Sequence, residues 1–465
     1  MKFRQSVILA TAAAVSASAL TGCGIYKKFE MPQSSALTTE YARVSDQEPD
    51  SASFGSRPWQ EVFTDPLLAD LINQALDNNK DLANAKLNVD MAHASLKGAR
   101  LAFLPSVALA PNGAGSKMGG NQLDWSAMSW TYQLPLSVSW EVDVFGKLIN
   151  SERGAAATER QAKDYEQAVR SQIIGAVANT YYAISMLESQ LELSRATAEN
   201  WAQSVEVMIN LKEAGRLNET AVVQSRANYY SVLASITDLE LQLNEMNNTM
   251  SLLLNVLPQK WAIPSYAVLP EPAIMRDAVP MRELAARPDV RAAEETLAAA
   301  YYTTCGARAA FYPGLTITAA GGFTNSLGTM IKNPGEFFIT LAGSLPAPLF
   351  SRGANIARLD AAKAQQKQAL NNFEYALLSA SSEVSNALTA YEKACEKQKL
   401  LASQIENLEK SVEYTQELLT LGTSTYLEVL TAQTSLLQAQ MAGISCANAR
   451  DRAVITLYQA LGGGR

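Results

Sequence analysis

The sequence repeats itself at a nearly fixed offset, and this limits the possible folds more than any other feature. Gly98-Ala99-Arg100-Leu101-Ala102-Phe103-Leu104-Pro105 returns as Gly306-Ala307-Arg308-Ala309-Ala310-Phe311-Tyr312-Pro313, 208 residues later. Phe145-Gly146-Lys147 has a looser echo in Phe350-Ser351-Arg352-Gly353, and Gly215-Arg216 matches Gly422-Thr423 at an offset of 207. Three landmarks in one order mean a duplicated unit of about 200 residues, and such a unit folds as two copies of one supersecondary plan. Each half reads as helix, strand, loop, strand, long helix, turn, helix.

The helices carry the clearest pattern. Ile173, Val177, Thr180, Ile184, Leu187, Leu191, Ser194, Ala198, Trp201, Val205 and Met208 step alternately by four and three. The second half repeats this from Leu370 and Phe373 through Leu377, Val384 and Leu401 to Leu419, and resumes after Gly422 at Leu427 and Leu430. A period of 3.5 held over five heptads predicts coiled-coil packing of antiparallel hairpins. The expected long helices are 147–211 and 355–421, and the expected return helices are 220–256 and 424–461. At about 1.5 Å per residue a long helix measures about 98 Å. The return helix and the leading helix (Asp65 to Arg100, Met281 to Arg308) together span about the same length.

Between the helices lie short alternating segments. From Trp130 the even positions Trp130, Tyr132, Leu134, Leu136, Val138 and Trp140 are apolar, while Thr131, Gln133, Ser137, Ser139, Glu141 and Asp143 are polar. Period-2 alternation over 15 residues suits a tilted membrane-crossing strand. Trp130, Tyr132 and Trp140 are candidate interfacial aromatics. Strands are expected over about 103–111, 130–145, 311–323 and 336–350, and Asn112 to Ser129 and Thr324 to Gly335 read as exposed loops. Four strands cannot close a barrel, and a lipid-exposed edge has unpaired backbone groups. Copies must therefore pool strands. Two copies would give a barrel filled with side chains and three a twelve-stranded one with a lumen; the polar odd positions favour the trimer.

The N-terminus reads as an address. Met1 to Arg4 is cationic, Val7 to Leu20 is apolar, and Leu20-Thr21-Gly22-Cys23 resembles a bacterial lipobox. The expectation is a leader over 1–22, with Cys23 acylated and anchored in outer-membrane lipid. A lipid-anchored segment then runs over 23–64, the first repeat over 65–256, a connection over 257–280 and the second repeat over 281–465.

The net charge of −7 becomes −9 once Lys2 and Arg4 leave with the leader, which argues against nucleic acid as a partner. One histidine, His93, and four cysteines leave little for catalysis: there is no Gly-rich phosphate loop and no Cys/His cluster, so the chain is not expected to be an enzyme, to hold a metal or to need a cofactor. Cys305, Cys395 and Cys446 read as small buried residues.

Lipobox, duplicated halves and the turn Leu421-Gly422-Thr423-Ser424-Thr425-Tyr426-Leu427-Glu428 together resemble the TolC-type outer membrane factors, nearest to their lipid-anchored, OprM- and CusC-like efflux branch. The resemblance implies a mostly α fold with membrane β: a homotrimer whose twelve-stranded barrel continues as a helical α-barrel across the periplasm of a Gram-negative bacterium. It implies a passive conduit for drugs, metals or other toxic compounds, fed by a periplasmic adaptor and an inner-membrane pump. By the same resemblance the periplasmic end closes near Leu427, Glu428, Thr431 and Thr434, with Thr434 standing where the branch carries a basic partner. The adaptor would dock at Gly215, Arg216 and Leu217 and at Gly422, Thr423 and Ser424. The other readings are a type I protein-secretion conduit and a non-channel periplasmic coiled-coil scaffold.

Overall fold

The computed structural model describes residues 26–44, 54–116, 129–215, 218–267, 269, 281–326, 335–348 and 352–464. Short helices α1 (Ala36–Val44) and α2 (Trp59–Val62) lead into α3 (Pro66–Asn78) and α4 (Lys80–Leu101), strands β1 (Ser106–Leu109), β2 (Asn112–Ser116) and β3 (Ser129–Val142), and the hairpin α5 (Lys147–Glu213) and α6 (Glu219–Leu253). The second half runs α7 (Met281–Ala285), α8 (Pro288–Ala309), β4 (Leu315–Ser326), β5 (Glu336–Ser344), α9 (Ala354–Thr420) and α10 (Tyr426–Ala460).

The duplication is kept to the residue. Both long helices have 67 residues and both return helices 35, and each pair is displaced by 207 at both ends. Helices α4 and α8 have 22 residues each, displaced by 208. Left-handed residues also recur at 207: Gly146 with Gly353, Gly215 with Gly422, and Asn255 with Gly462.

Two compact units are present. One comprises Asn88–Lys163, Ala292–Phe373 and the N-terminal segment to Pro32; the other comprises Gln33–Leu87, Asp164–Arg291 and Glu374–Arg465. In the second, the predicted α5 seam from Ile173 to Met208 is buried except at Val205. The α9 seam is buried at Phe373, Leu377, Ala380, Val384, Ala387 and Ala394 but only half-buried from Gln398 to Leu419. The connection after α6 clings to small side chains. Trp261 N–H donates to Asn247 Oδ1 at 2.9 Å, Tyr266 N–H to Ser189 Oγ at 2.8 Å and Ala267 N–H to Ser185 Oγ at 2.9 Å.

Five expectations need correction. The leading helices are each broken rather than continuous. Asn79 ends α3 in extended geometry, and its Oδ1 accepts from the N–H groups of Asp81 and Leu82, capping α4. In the second half the break falls at Ala286-Arg287, and Pro288 opens α8, a first-turn position that needs no N–H. Strand β2 lies in the expected loop, because β3 imposes its register on Asn-Gly-Ala-Gly-Ser. Strand β4 starts at Leu315, since Phe311 and Tyr312 still bond back to Arg308 and Ala309. Strand β5 stops at Ser344, before Pro346 and Pro348, which have no N–H to give a ladder. Cys305 and Cys446 are buried as expected, whereas Cys395 is only half-buried; all three are free thiols.

Candidate functional site: the apolar sheet and the hairpin tips

The sheet is antiparallel throughout, in the order β1-β3-β4-β5, with β2 also on β3. Ser106 faces Ser139 and Leu109 faces Leu136; the same register resumes with Asn112 opposite Gln133 and ends with Ser116 opposite Ser129. Strands β1 and β2 are therefore one ribbon, interrupted where Pro111 and Pro135 lack donors; Ala110 N–H still bonds Pro135 O at 3.2 Å. Four ribbons result.

Register sorts the side chains by face. Val107, Leu109, Leu134, Leu136, Val138, Trp140, Ile317, Phe323, Phe337, Ile339 and Leu341 share one side. Except for the half-buried Val138 and Ile317 they stand in the open: Val107 is 64% exposed, Ile339 75% and Leu341 76%. The opposite face carries Thr131, Gln133, Ser137, Ser139, Glu141, Thr316, Thr318 and Thr340. Among the described residues no strand pairs with the outer edges of β1/β2 and β5, and an exposed apolar face of this extent between open edges is poorly suited to water. Of the candidate interfacial aromatics, Trp130 and Trp140 are exposed, and Trp140 Nε1 donates to Phe103 O at 2.9 Å. Tyr132 is instead buried, opposite Gly113 and Asn325.

Below this sheet the N-terminal segment is tied down. Tyr26 O–H donates to Val144 O at 2.6 Å, Arg153 Nη1 to Tyr26 O at 2.8 Å, and Phe29 N–H to Tyr302 Oη at 3.1 Å. Cys23 itself lies outside the described residues.

The hairpin tips form a separate candidate. Helix α5 ends at Gly215 (φ +72°), whose N–H returns to Lys212 O at 2.9 Å. Helix α9 ends at Gly422 (φ +75°) with a full Schellman closure, Gly422 N–H to Leu419 O at 3.1 Å and Thr423 N–H to Leu418 O at 3.0 Å. Arg216 and Leu217 lie outside the described residues. Asn218 caps α6 through Ala221 N–H, and the Lys212 ammonium beside Glu219 holds that carboxyl below the usual range.

At the start of α10, Tyr426 and Leu430 pack with Met208 and Val222, and Tyr426 Oη lies 3.0 Å from Ser225 Oγ. That places Leu427, 62% exposed, and Glu428 and Thr431 on the opposite, open side. Ser424 Oγ donates to Glu428 Oε2, so this acid also braces the first turn of α10. The hydroxyls of Thr431 and Thr434 donate back to Leu427 O and Leu430 O, and Thr434 is half-buried. Sequence reasoning found these residues but not the Ser424–Glu428 bond, although Ser-Thr-x-x-Glu spacing signals such a brace. His93 is exposed beside Glu159. Among the described residues there is no group of three or more potential metal ligands.

A family model described as "Outer membrane efflux protein" matches residues 71–256 and 279–463, one match for each half. The chain is 28% identical over 458 residues to the cation efflux system protein CusC of Escherichia coli O6:H1, covering 96% of this chain and 97% of that one. It is also 28% identical over 460 residues to the toluene efflux pump outer membrane protein TtgF of Pseudomonas putida, covering 96% and 95%. Among solved structures, a crystal structure of CusC superposes with a TM-score of 0.82 at 26% identity, covering 94% of this chain and 98% of that one.

Proposed function

Because this chain belongs to the outer membrane efflux protein family, we propose that three copies pool their sheets into a twelve-stranded barrel and conduct small molecules outward. Its location is the outer membrane and its role is efflux, as the outer-membrane channel component of an efflux system. The observation that carries the trimeric reading is the register-aligned apolar face with two open edges. Only closure removes such edges in lipid, and three four-ribbon sheets leave room for a lumen lined by the Thr/Ser/Gln face. The half-buried lower seam of α9 supports it too, since neighbouring helices would complete that packing. A soluble scaffold leaves both features without a purpose.

The remaining assignments rest on the family resemblance and the lipobox, and the exposed tip residues support them. The glycine turns at 215 and 422 are the docking surface for a periplasmic adaptor, which links the channel to an inner-membrane pump. Leu427 and Glu428 face the axis at the tip and form its constriction, with Thr431 and Thr434 above. Cys23 carries the lipid; Tyr26, three residues further on in the sequence, is fixed by its hydroxyl to Val144 O just past β3. Two relatives of equal identity are named for a cation and for toluene, which fits a conduit whose cargo is chosen by the pump rather than by the channel wall.

Purified in detergent, the protein is expected to migrate as a trimer and to conduct ions in planar bilayers; a water-soluble monomer would refute the reading. Glu428→Gln keeps an acceptor for Ser424 while removing the charge, so cation-over-anion preference in single-channel recordings should fall about twofold or more. Unchanged selectivity would remove Glu428 from the constriction. Cys23→Ser should abolish incorporation of labelled fatty acid; persistent labelling would place the anchor elsewhere.

A further inference from the structure

We propose that the helix-side margin of the sheet is a binding belt for the phosphates of anionic phospholipid headgroups. The margin is defined by register: the start of β1, the end of β3, the start of β4 and the end of β5 lie side by side. In this region the carboxylates are already engaged. Glu30 pairs with Lys27 at 2.9 Å, Glu141 with Lys147 at 2.7 Å, Glu152 with Arg100 at 3.2 Å and Asp360 with Lys363 at 3.5 Å, while Asp143 Oδ2 accepts from Ile149 N–H at 2.8 Å. Five exposed cations remain, Lys28, Lys97, Arg308, Arg352 and Arg358, with no carboxylate partner among the described residues. Each lies within a few helical turns of the margin, on a chain whose net charge is −7.

Local electrostatics accounts for only part of this pattern. Arg308 ends a helix, where a cation complements the macrodipole. Arg352 and Arg358, however, flank the first turn of α9, which has no acid and whose dipole disfavours a cation. Aromatics occupy the same level: Trp140 is 40% exposed, and Phe145 and Tyr312 stack with centroids 5.1 Å apart. Aromatic rings and unpaired cations just beyond an apolar band match the chemistry of a headgroup layer. The belt rests on the reading that the apolar face is embedded in lipid. Its occupant is a phospholipid of the periplasm-facing leaflet, with its acyl chains against the apolar face and its phosphate on the belt.

The test is native mass spectrometry of the purified full-length oligomer, titrated with phosphatidylglycerol or phosphatidylcholine, alone and with inorganic phosphate. The expected result is selective retention of phosphatidylglycerol that survives millimolar phosphate. Changing Lys28, Lys97, Arg308, Arg352 and Arg358 together to Gln should cut this selectivity at least tenfold. Should that variant fail to assemble, Arg358→Gln alone, and the rise in wild-type melting temperature with phosphatidylglycerol over phosphatidylcholine, supply the same reading. Equal retention of both lipids, or an unchanged preference in the variants, overturns the belt. Displacement by free phosphate would reduce it to a simple ion site. A protein that retains no lipid at all would instead overturn the membrane reading itself.

Discussion

Valine in place of Gly322 should leave the chain synthesised but unable to form its oligomer in the outer membrane. Gly322 faces Pro135 across β3 and Phe338 across β5. A Cβ there would overlap the carbonyl oxygen of Leu134 and lie 2.8 Å from both Leu134 C and Pro135 Cα. These are backbone atoms, so no rotamer change relieves the clash, and β3 and β4 must part. Each ladder bond lost costs about 1 kcal/mol in water, and several times more in lipid, where no water replaces it. The control is the adjacent Gly321→Ala, whose Cβ would sit an ordinary 3.6 Å from Phe338 O. Heat-modifiable mobility on a semi-native gel reads the result: G321A should assemble and G322V should not. A normal oligomer from G322V would show that the strands do not pair in this register.

The second large effect concerns Arg287. Arg287→Ala should lower the stability of the helical unit by about 3 kcal/mol, seen as an earlier melt by circular dichroism. Arg287 is 5% exposed. It donates to Ala460 O at 2.8 Å, to Asp289 at 2.7 Å and to Glu383 at 2.7 Å. Removing it leaves the last turn of α10 without a donor and two carboxylates without a cation. Its counterpart in the first half is Asn79, 208 positions earlier, whose Nδ2 donates to Leu253 O at 3.0 Å in the matching last turn of α6. Asn79→Ala, which removes a neutral hydrogen bond and a helix cap, should cost less, about 1–2 kcal/mol. Burial alone would raise the Asp289 pKa, but Arg287 reverses this and holds it below the usual carboxylate range. Wild type should thus lose stability as the pH falls through that lowered value, and the Arg287→Ala variant should lose less. Equal melts at neutral pH would show that the kink does not hold the helix end.

These features differ in how far the sequence displayed them. The helical seams were legible because a period of 3.5 over many heptads admits few other folds, and Gly215 and Gly422 marked turns because they adopt left-handed backbone. Strand β3 announced itself by alternation. Its partner β2 did not, since Asn112–Ser116 has no β-forming side chains and its pairing comes wholly from β3. Asn79 and Arg287 were hidden for a related reason: each acts on a carbonyl more than 170 residues away, which no local window reveals. At the tip, heptad phase set Leu427 on the packed seam beside Leu430, but only Leu430 is buried and Leu427 stands exposed, because Tyr426 takes the inward place; the buried position of Tyr132 likewise depended on the bare glycine opposite it.

The matched lengths of the two hairpins carry a consequence for how such a chain can change. With 67- and 35-residue helices in both halves, an insertion or deletion in one hairpin alone would throw its tip out of level with the other. Lengthening by whole heptads should therefore be tolerated only when made in both halves at once. Homologues with longer or shorter stems should then differ by paired, equal indels rather than by single ones.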